Sequence, residues 1–197
     1  IAAPDPVRDR HMRSRTRTPL AAGALVVLAL GAVVATVVAT APAATNCSPS
    51  SSWGTNRPDF ASQVVTLVNQ HRATIGRGPL SESATLTASS VWKSLHMANY
   101  GYFGHDDPAP PVSRSAFQRA RDCDYAGSTW GENIAYGYTS PQSVMNGWLA
   151  SPGHRANIES LNYTTIGVGV AANAGGVLYW TQNFGNDAGA SPPTPPP

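Results

Sequence analysis

The chain reads as an α+β domain. Segments with helical apolar spacing dominate the part that follows Phe60, an alternating hairpin closes it before Gly185, and Gly, Pro and Ser clusters mark the joins between them. That length suits one domain around one core.

Phe60, Val64, Leu67, Val68, His71 and Ile75 recur at three and four residues, which predicts an amphipathic helix capped by Asp59 and ended by Gly76 and Gly78. Leu80 then enters the core. A second helix is expected from about Ser83 to Tyr100, with Leu86, Lys93, Met97 and Tyr100 along one side and Trp92, Leu95 and Asn99 along another; Gly101 stops it. A short third helix spans about Ser113 to Arg121. Ser140 as cap and Pro141 at the first position open a fourth, carrying Val144, Met145, Trp148 and Leu149, and Pro152 and Gly153 end it directly before His154. Ile166, Val168 and Val170 alternate with glycines; after a turn at Asn173 to Gly176, Val177 to Phe184 alternates again, as a β-hairpin does. Gly167 and Gly169 inside a strand mark a place where another backbone or side chain comes close. Trp148, Tyr179, Trp180 and Phe184 are expected in the core.

The flanks differ in composition. Arg8, Arg10, Arg13, Arg15 and Arg17 precede an uncharged run from Leu20 to Ala41 rich in Ala, Val and Leu, the order of an export signal. Residues 1–43 are therefore read as upstream residues and signal peptide, with cleavage before Ala44 after the small residues Ala41 and Ala43; left uncleaved, the same run is a membrane anchor. Residues 44–58 read as a polar linker outside the core, 59–186 as the folded domain, and 187–197 as a stiff Pro-rich tail.

Of the 13 basic and 11 acidic residues, five and two fall in the signal, so eight basic and nine acidic residues remain and the exported part carries a formal charge of −1. The remaining basic residues are scattered, which argues against a nucleic-acid partner and for a solvated mixed surface. Cys47 and Cys123 both follow the signal and enter an oxidising compartment, where two cysteines pair, so a Cys47–Cys123 disulfide is expected.

The chemistry concentrates in short motifs: FGHDDP at 103–108, GENIAYG from Gly131, WLASPGHRANI from Trp148, IGVGVA from Ile166 and YWTQNFG from Tyr179. His105, Glu132 and His154 thereby stand in three separate segments, read as loops, and only a packed fold could make them one site. Two imidazoles and a carboxylate form a donor set that Zn²⁺ accepts with water in an open position, although the spacing matches no local zinc signature. The bland alternative has His154 and Glu132 satisfying backbone groups at turns. Ser151, His154 and Glu132 lack the strained elbow of a nucleophilic serine. Asp106 and Asp107 before Pro108 read as a solvated turn, and His71 and His96 as ordinary helical positions.

The order of these motifs resembles the CAP superfamily, the cysteine-rich secretory, antigen 5 and pathogenesis-related proteins, and in particular its bacterial SCP-domain branch. The resemblance implies an α-β-α sandwich, with a small antiparallel sheet packed between helices. It also implies a cleft lined by two histidines and two acidic residues, and it places both histidines and the first acid at His105, His154 and Glu132. The second acid commonly follows the helix tryptophan by three residues, where this chain has Ser151, so metal binding through His105, His154 and Glu132 is expected to be weak. Asn69 and Arg72 match a helical N-x-x-R feature of the family, read as scaffold hydrogen bonding. Together with the export signal, the incomplete acidic set and the absence of a nucleophile motif, the resemblance points to a secreted, non-catalytic binder of an envelope lipid, glycan or peptide, expected as a monomer. A metal-dependent extracellular hydrolase and a structural envelope protein are the alternatives.

Overall fold

Pro58 has its φ preset for a first helical turn, so helix α1 begins there and runs Pro58–Thr74. Asp59, expected as the cap, sits inside the first turn, and the Arg57 guanidinium at the cap position pairs with it at 2.7 Å. Helix α2, Ala84–Tyr100, starts where the Ser83 hydroxyl accepts from the Leu86 amide and stops at Gly101, whose φ of 65° is a left-handed cap suited to a residue without Cβ. A reciprocal Ser115–Gln118 capping box opens helix α3, Ala116–Asp122, slightly later than its periodicity suggests. Helix α4, Pro141–Ala150, has the expected Ser140 cap and Pro141 start.

A fifth helix corrects the expected count of four. Pro152 opens helix α5, Pro152–Glu159, which carries His154 in its first turn. Pro-Gly reads as a helix breaker, yet proline costs nothing at the first position, where its missing N–H would have no helical partner.

The structure is a computed structural model that describes residues 47–187, all within one unit. The export signal, its cleavage position and the tail beyond Asp187 lie outside the described residues. Strands β1 Thr55–Asn56, β2 Ser81–Glu82, β3 Trp130–Tyr136, β4 Thr165–Ala172 and β5 Leu178–Gly185 form one sheet. Its order is β1-β4-β5-β3, antiparallel throughout except that β2 adds to β4 in parallel. The GENIA segment is β3, so Glu132 stands on a strand and not in a loop. The chain before Pro58 is likewise built in: Trp53 is buried against Trp92, and Thr55 and Asn56 pair with Ala172 and Ala171. An indole among serines and asparagines has only one way to leave water.

Helices cover both faces of the sheet. On one side Val64 and Val68 of α1, Val144, Met145 and Trp148 of α4 and Ile158 of α5 pack on Ile166, Val168, Val170, Trp180 and Phe184. On the other, α2 lies so close to β4 that a Cβ on Gly167 or Gly169 would strike the α2 backbone at Leu86–Thr87 or Ser90–Val91. Ser90 and Ser94 use that proximity, donating to the carbonyls of Gly167 and Gly169 at 2.9 Å each. Asn69 and Arg72 fasten α1, the first bonding both backbone groups of Leu80 and the second the carbonyls of Gly78, Ile158 and Ser160.

β3 lies at the sheet's edge. Gly137 donates to the Leu178 carbonyl, so by antiparallel alternation the odd-numbered backbone groups of β3 face β5 and the even-numbered ones face outward. Outward carbonyls at Trp130, Glu132 and Ile134 accept from the Tyr163 hydroxyl, the Asn157 amide and the Trp148 indole respectively.

Candidate functional site

Strand alternation turns the dipeptide Glu132-Asn133 into a two-sided clamp, because successive side chains of β3 leave opposite faces of the sheet. Glu132 Oε1 accepts from His105 Nδ1 at 2.9 Å. Asn133 reaches the other way and donates to the His154 carbonyl at 3.0 Å and to Gln182, while Asn157 donates to Asn133 at 2.9 Å. One edge strand thus locates both histidines. The Glu132 side chain is 1% exposed and that of His105 54%, so a buried carboxylate holds a ring that faces solvent.

Behind this clamp is a buried charge network. Arg119, fully buried on α3, donates to Glu132 Oε2, to Asp107 Oδ1 at 2.6 Å and to the His105 carbonyl at 3.1 Å. Asp107 also accepts from Lys93 at 3.0 Å and Arg114 at 2.9 Å. The expectation of a solvated Asp106-Asp107 turn holds for Asp106, which stays exposed, and is corrected for Asp107, which is buried; the reading of the basic residues as wholly solvated is corrected too, since Arg72, Lys93, Arg114 and Arg119 are all buried. Burial pulls the Lys93 ammonium down to about 8, with the Arg119 charge adding to it and Asp107 opposing. Burial alone would raise the Asp107 carboxyl, but Arg119, Lys93 and Arg114 outweigh it and hold it below the ordinary carboxylate range.

A hydrogen-bond chain fixes the loop that bears His105. Lys93 donates to the Tyr102 hydroxyl at 3.0 Å, and Tyr102 donates to His96 Nδ1 at 2.6 Å. His96 Nε2 then donates to the Pro110 carbonyl at 2.9 Å. Each direction follows from its ends, since an ammonium only donates and a carbonyl only accepts. His96, stacked on Trp92 and fully buried, is thus a structural bridge, and burial holds its pKa below the usual imidazole value.

A cleft of about 270 Å³ opens beside the clamp, lined by Phe103, Ile134, Ala135, Tyr136, Tyr138, Gly147, Trp148, Ser151 and His154. Phe103 and Tyr136 make a ring contact at 4.9 Å and remain 50% and 54% exposed, so the cleft has an aromatic rim. Burial lowers the His154 pKa, and the nearby His105 charge adds to the effect.

Ser151 and His154 thus stand in the cleft wall, His105 is near enough for its charge to act on His154, and Glu132 holds His105 without lining the cleft. Among the described residues no three His, Cys, Asp or Glu side chains converge as a ready metal cage. Glu132 has both oxygens engaged, which suits it to orient His105 and not to ligate beside it. Sequence reading missed Arg119, Asn133 and the aromatic rim. One signal was available: Lys93 lies on the apolar stripe of α2, and a cation there requires a buried acid, which Asp107 supplies.

Residues 65–184 match the CAP, cysteine-rich secretory protein family. Among relatives, an uncharacterized protein of Bacillus subtilis, YkwD, is 37% identical over 64% of this chain and 46% of its own length. An uncharacterized membrane protein of the same organism, YlbC, is 30% identical over 67% of this chain and 36% of its own length. The chain therefore spans less than half of either relative. Among solved structures, an extracellular SCP-domain protein of Bacillus anthracis superposes with a TM-score of 0.60 and 27% identity, covering 66% of this chain and 41% of that one. An outer surface protein of Borrelia burgdorferi shares the fold at a TM-score of 0.60 and 17% identity, over 67% and 97%. With helices on both faces of the sheet and the two histidines set by one edge strand, the chain belongs to the CAP family, as a bacterial SCP-type α+β domain.

Proposed function

We propose that this chain is an exported, non-catalytic binding domain that holds an apolar or glycan component of the cell envelope in the cleft beside His154. The observation that carries this reading is the aromatic rim: Phe103, Tyr136 and Tyr138 remain partly exposed and continue into a wall of Ile134, Ala135 and Trp148, with Ser151 and His154 as its polar residues. Apolar walls with a few placed polar groups are the usual form of a small-ligand site, and flat exposed rings suit acyl chains or sugar faces. Export is supported by the basic-then-apolar N-terminal sequence and by the Cys47–Cys123 pairing. Among the described residues no helix is long and apolar enough to cross a membrane.

Glu132 is engaged by Arg119 and His105 on its two oxygens, so using it as a general base would mean breaking a buried ion pair. That favours binding over the alternative of metal-assisted hydrolysis. Incubating the protein with envelope extract and peptide libraries, with and without zinc, while following both retention and product masses, separates the two. The expected result is retention without chemical change, reduced on the order of tenfold in Phe103→Ala and Tyr136→Ala, equivalent to about 1.4 kcal/mol. Product formation that vanishes in Glu132→Gln and His154→Ala would replace this reading with the hydrolase. Neither retention nor product would leave a structural envelope protein.

A further inference from the structure

Arg119, Glu132 and His105 form a closed ring of hydrogen bonds. The Arg119 guanidinium reaches the backbone carbonyl of His105 at 3.1 Å and Oε2 of Glu132; Oε1 of Glu132 meets Nδ1 of the same His105 at 2.9 Å. The histidine is therefore held at its backbone and at its ring by one fully buried arginine, directly at the first point and through Glu132 at the second. A guanidinium only donates hydrogen bonds, so whatever stands at residue 132 must turn an acceptor towards it.

We propose that Arg119 is the positioning residue of His105: by holding Glu132 in place it keeps an acceptor-only carboxylate against Nδ1, so the ring carries its proton there and presents Nε2 as a bare lone pair. This rests on the reading that the histidines serve the cleft. The geometry has a direct chemical meaning. Nε2 of the neutral ring becomes a hydrogen-bond acceptor, able to take a hydroxyl or amide N–H of a ligand or to coordinate a cation through its lone pair, and it has no proton to give in a hydrogen bond. A carboxylate behind an imidazole is the usual device for fixing the tautomer of a working histidine. Here the carboxylate is in turn held by Arg119, whose charge burial opposes and the Glu132 and Asp107 charges sustain.

Replacing Glu132 with glutamine gives a test that does not depend on knowing the ligand. The amide has one acceptor and one donor end. If Arg119 governs the position, the Gln oxygen turns to Arg119 and the NH₂ to His105 Nδ1, which must then be unprotonated, and the tautomer inverts. Nitrogen-15 spectra of the His105 ring, recorded on the full chain above the imidazole titration range, read this directly. Expected are a protonated Nδ1 and bare Nε2 in wild type, and the reverse in Glu132→Gln. Retention of the Nδ1 proton in Glu132→Gln would overturn the proposal.

Arg119→Lys supplies a second reading, since an ammonium cannot bridge the carbonyl and the carboxylate as a planar fork does. In that variant the wild-type tautomer should give way to a mixture. Asp122→Asn perturbs the same network from its outer end, at the carboxylate that pairs with Arg114 at 2.7 Å, without removing a hydrogen bond to Glu132 or His105, and should leave the ring as in wild type. If Asp122→Asn scrambles the His105 ring as much as Arg119→Lys does, Arg119 is only part of the scaffold and the proposal fails. Ligand retention is a separate measurement: an inverted tautomer without any retention by wild type would uphold the role of Arg119 while refuting the binding reading.

Discussion

Trp148 shows what one side chain contributes here. It is buried at the junction of α4, β3 and the cleft, and its indole nitrogen caps an edge carbonyl at 3.4 Å. Trp148→Ala removes a large packed ring and a hydrogen bond together, so a loss of about 3–5 kcal/mol is expected by urea denaturation. A change below about 1 kcal/mol, typical of surface sites, would contradict its burial. His105 and His154 are the other residues whose isolated contribution is measurable. Two imidazole nitrogens without a ligating carboxylate should bind zinc only at micromolar strength or weaker, about −8 kcal/mol or less favourable. Affinity should fall as pH drops through the imidazole range, because a protonated ring has no lone pair. For His154 that loss comes below the ordinary imidazole value, since burial holds the ring neutral to lower pH. Calorimetry on wild type, His105→Ala and His154→Ala at pH 7.5 and 5.5 tests this, and equal affinity in all three would remove the histidines from the site.

Among the elements, those with clear punctuation were legible in the sequence. Ser83 and Gly101 bracket α2, and Ser140-Pro141 opens α4, because capping is local chemistry that adjacent residues display. β3 was not legible. Gly131 to Ala135 are all buried, so no alternation of apolar and polar residues survives, and a buried glutamate followed by a buried asparagine reads as a loop. The loop from Tyr102 to Arg114 escaped for a different reason: its order comes from Lys93, His96 and Arg119, on helices before and after it. That loop should respond to acid. His96 titrates lower in the folded state than unfolded, so the folded state binds fewer protons between the two values. Its contribution is complete above about 6.5 and is lost as pH falls through that point towards the depressed folded value. Denaturation midpoints should decrease from pH 7.5 to 5.5, and the His96 ring should titrate by NMR below the unperturbed value. A midpoint at or above the unperturbed value would show that the ring is not buried as described.

For the whole molecule, the disulfide joins Cys47, ahead of β1, to Cys123 at the end of α3, across 76 residues of chain. By the loop-entropy account such a closure contributes about 4 kcal/mol as an upper figure. Intact mass and thiol alkylation without reduction should find no free thiol, and the Cys47→Ser, Cys123→Ser double variant should lose about 2–4 kcal/mol while keeping the fold. The cysteine pairing, the family and the α+β class could all be read before the structure, because each rests on residue identities and their order. The cleft could not. Its rim joins Phe103, Tyr136 and Tyr138 across the sheet edge, and the sequence carries no mark of which aromatic rings stay partly in water.

The edge strand β3 has one more consequence. An unpaired edge is a template on which another copy of the chain can lay a strand, and repetition of that event builds insoluble assemblies. Tyr163, Asn157 and Trp148 occupy three successive outward carbonyls of β3, so an incoming strand would have to displace three side-chain donors before it could pair. The residues that wall the cleft and fasten α5 therefore also keep the protein from polymerising along its own sheet, and shelf life in concentrated solution is where their loss would first be seen.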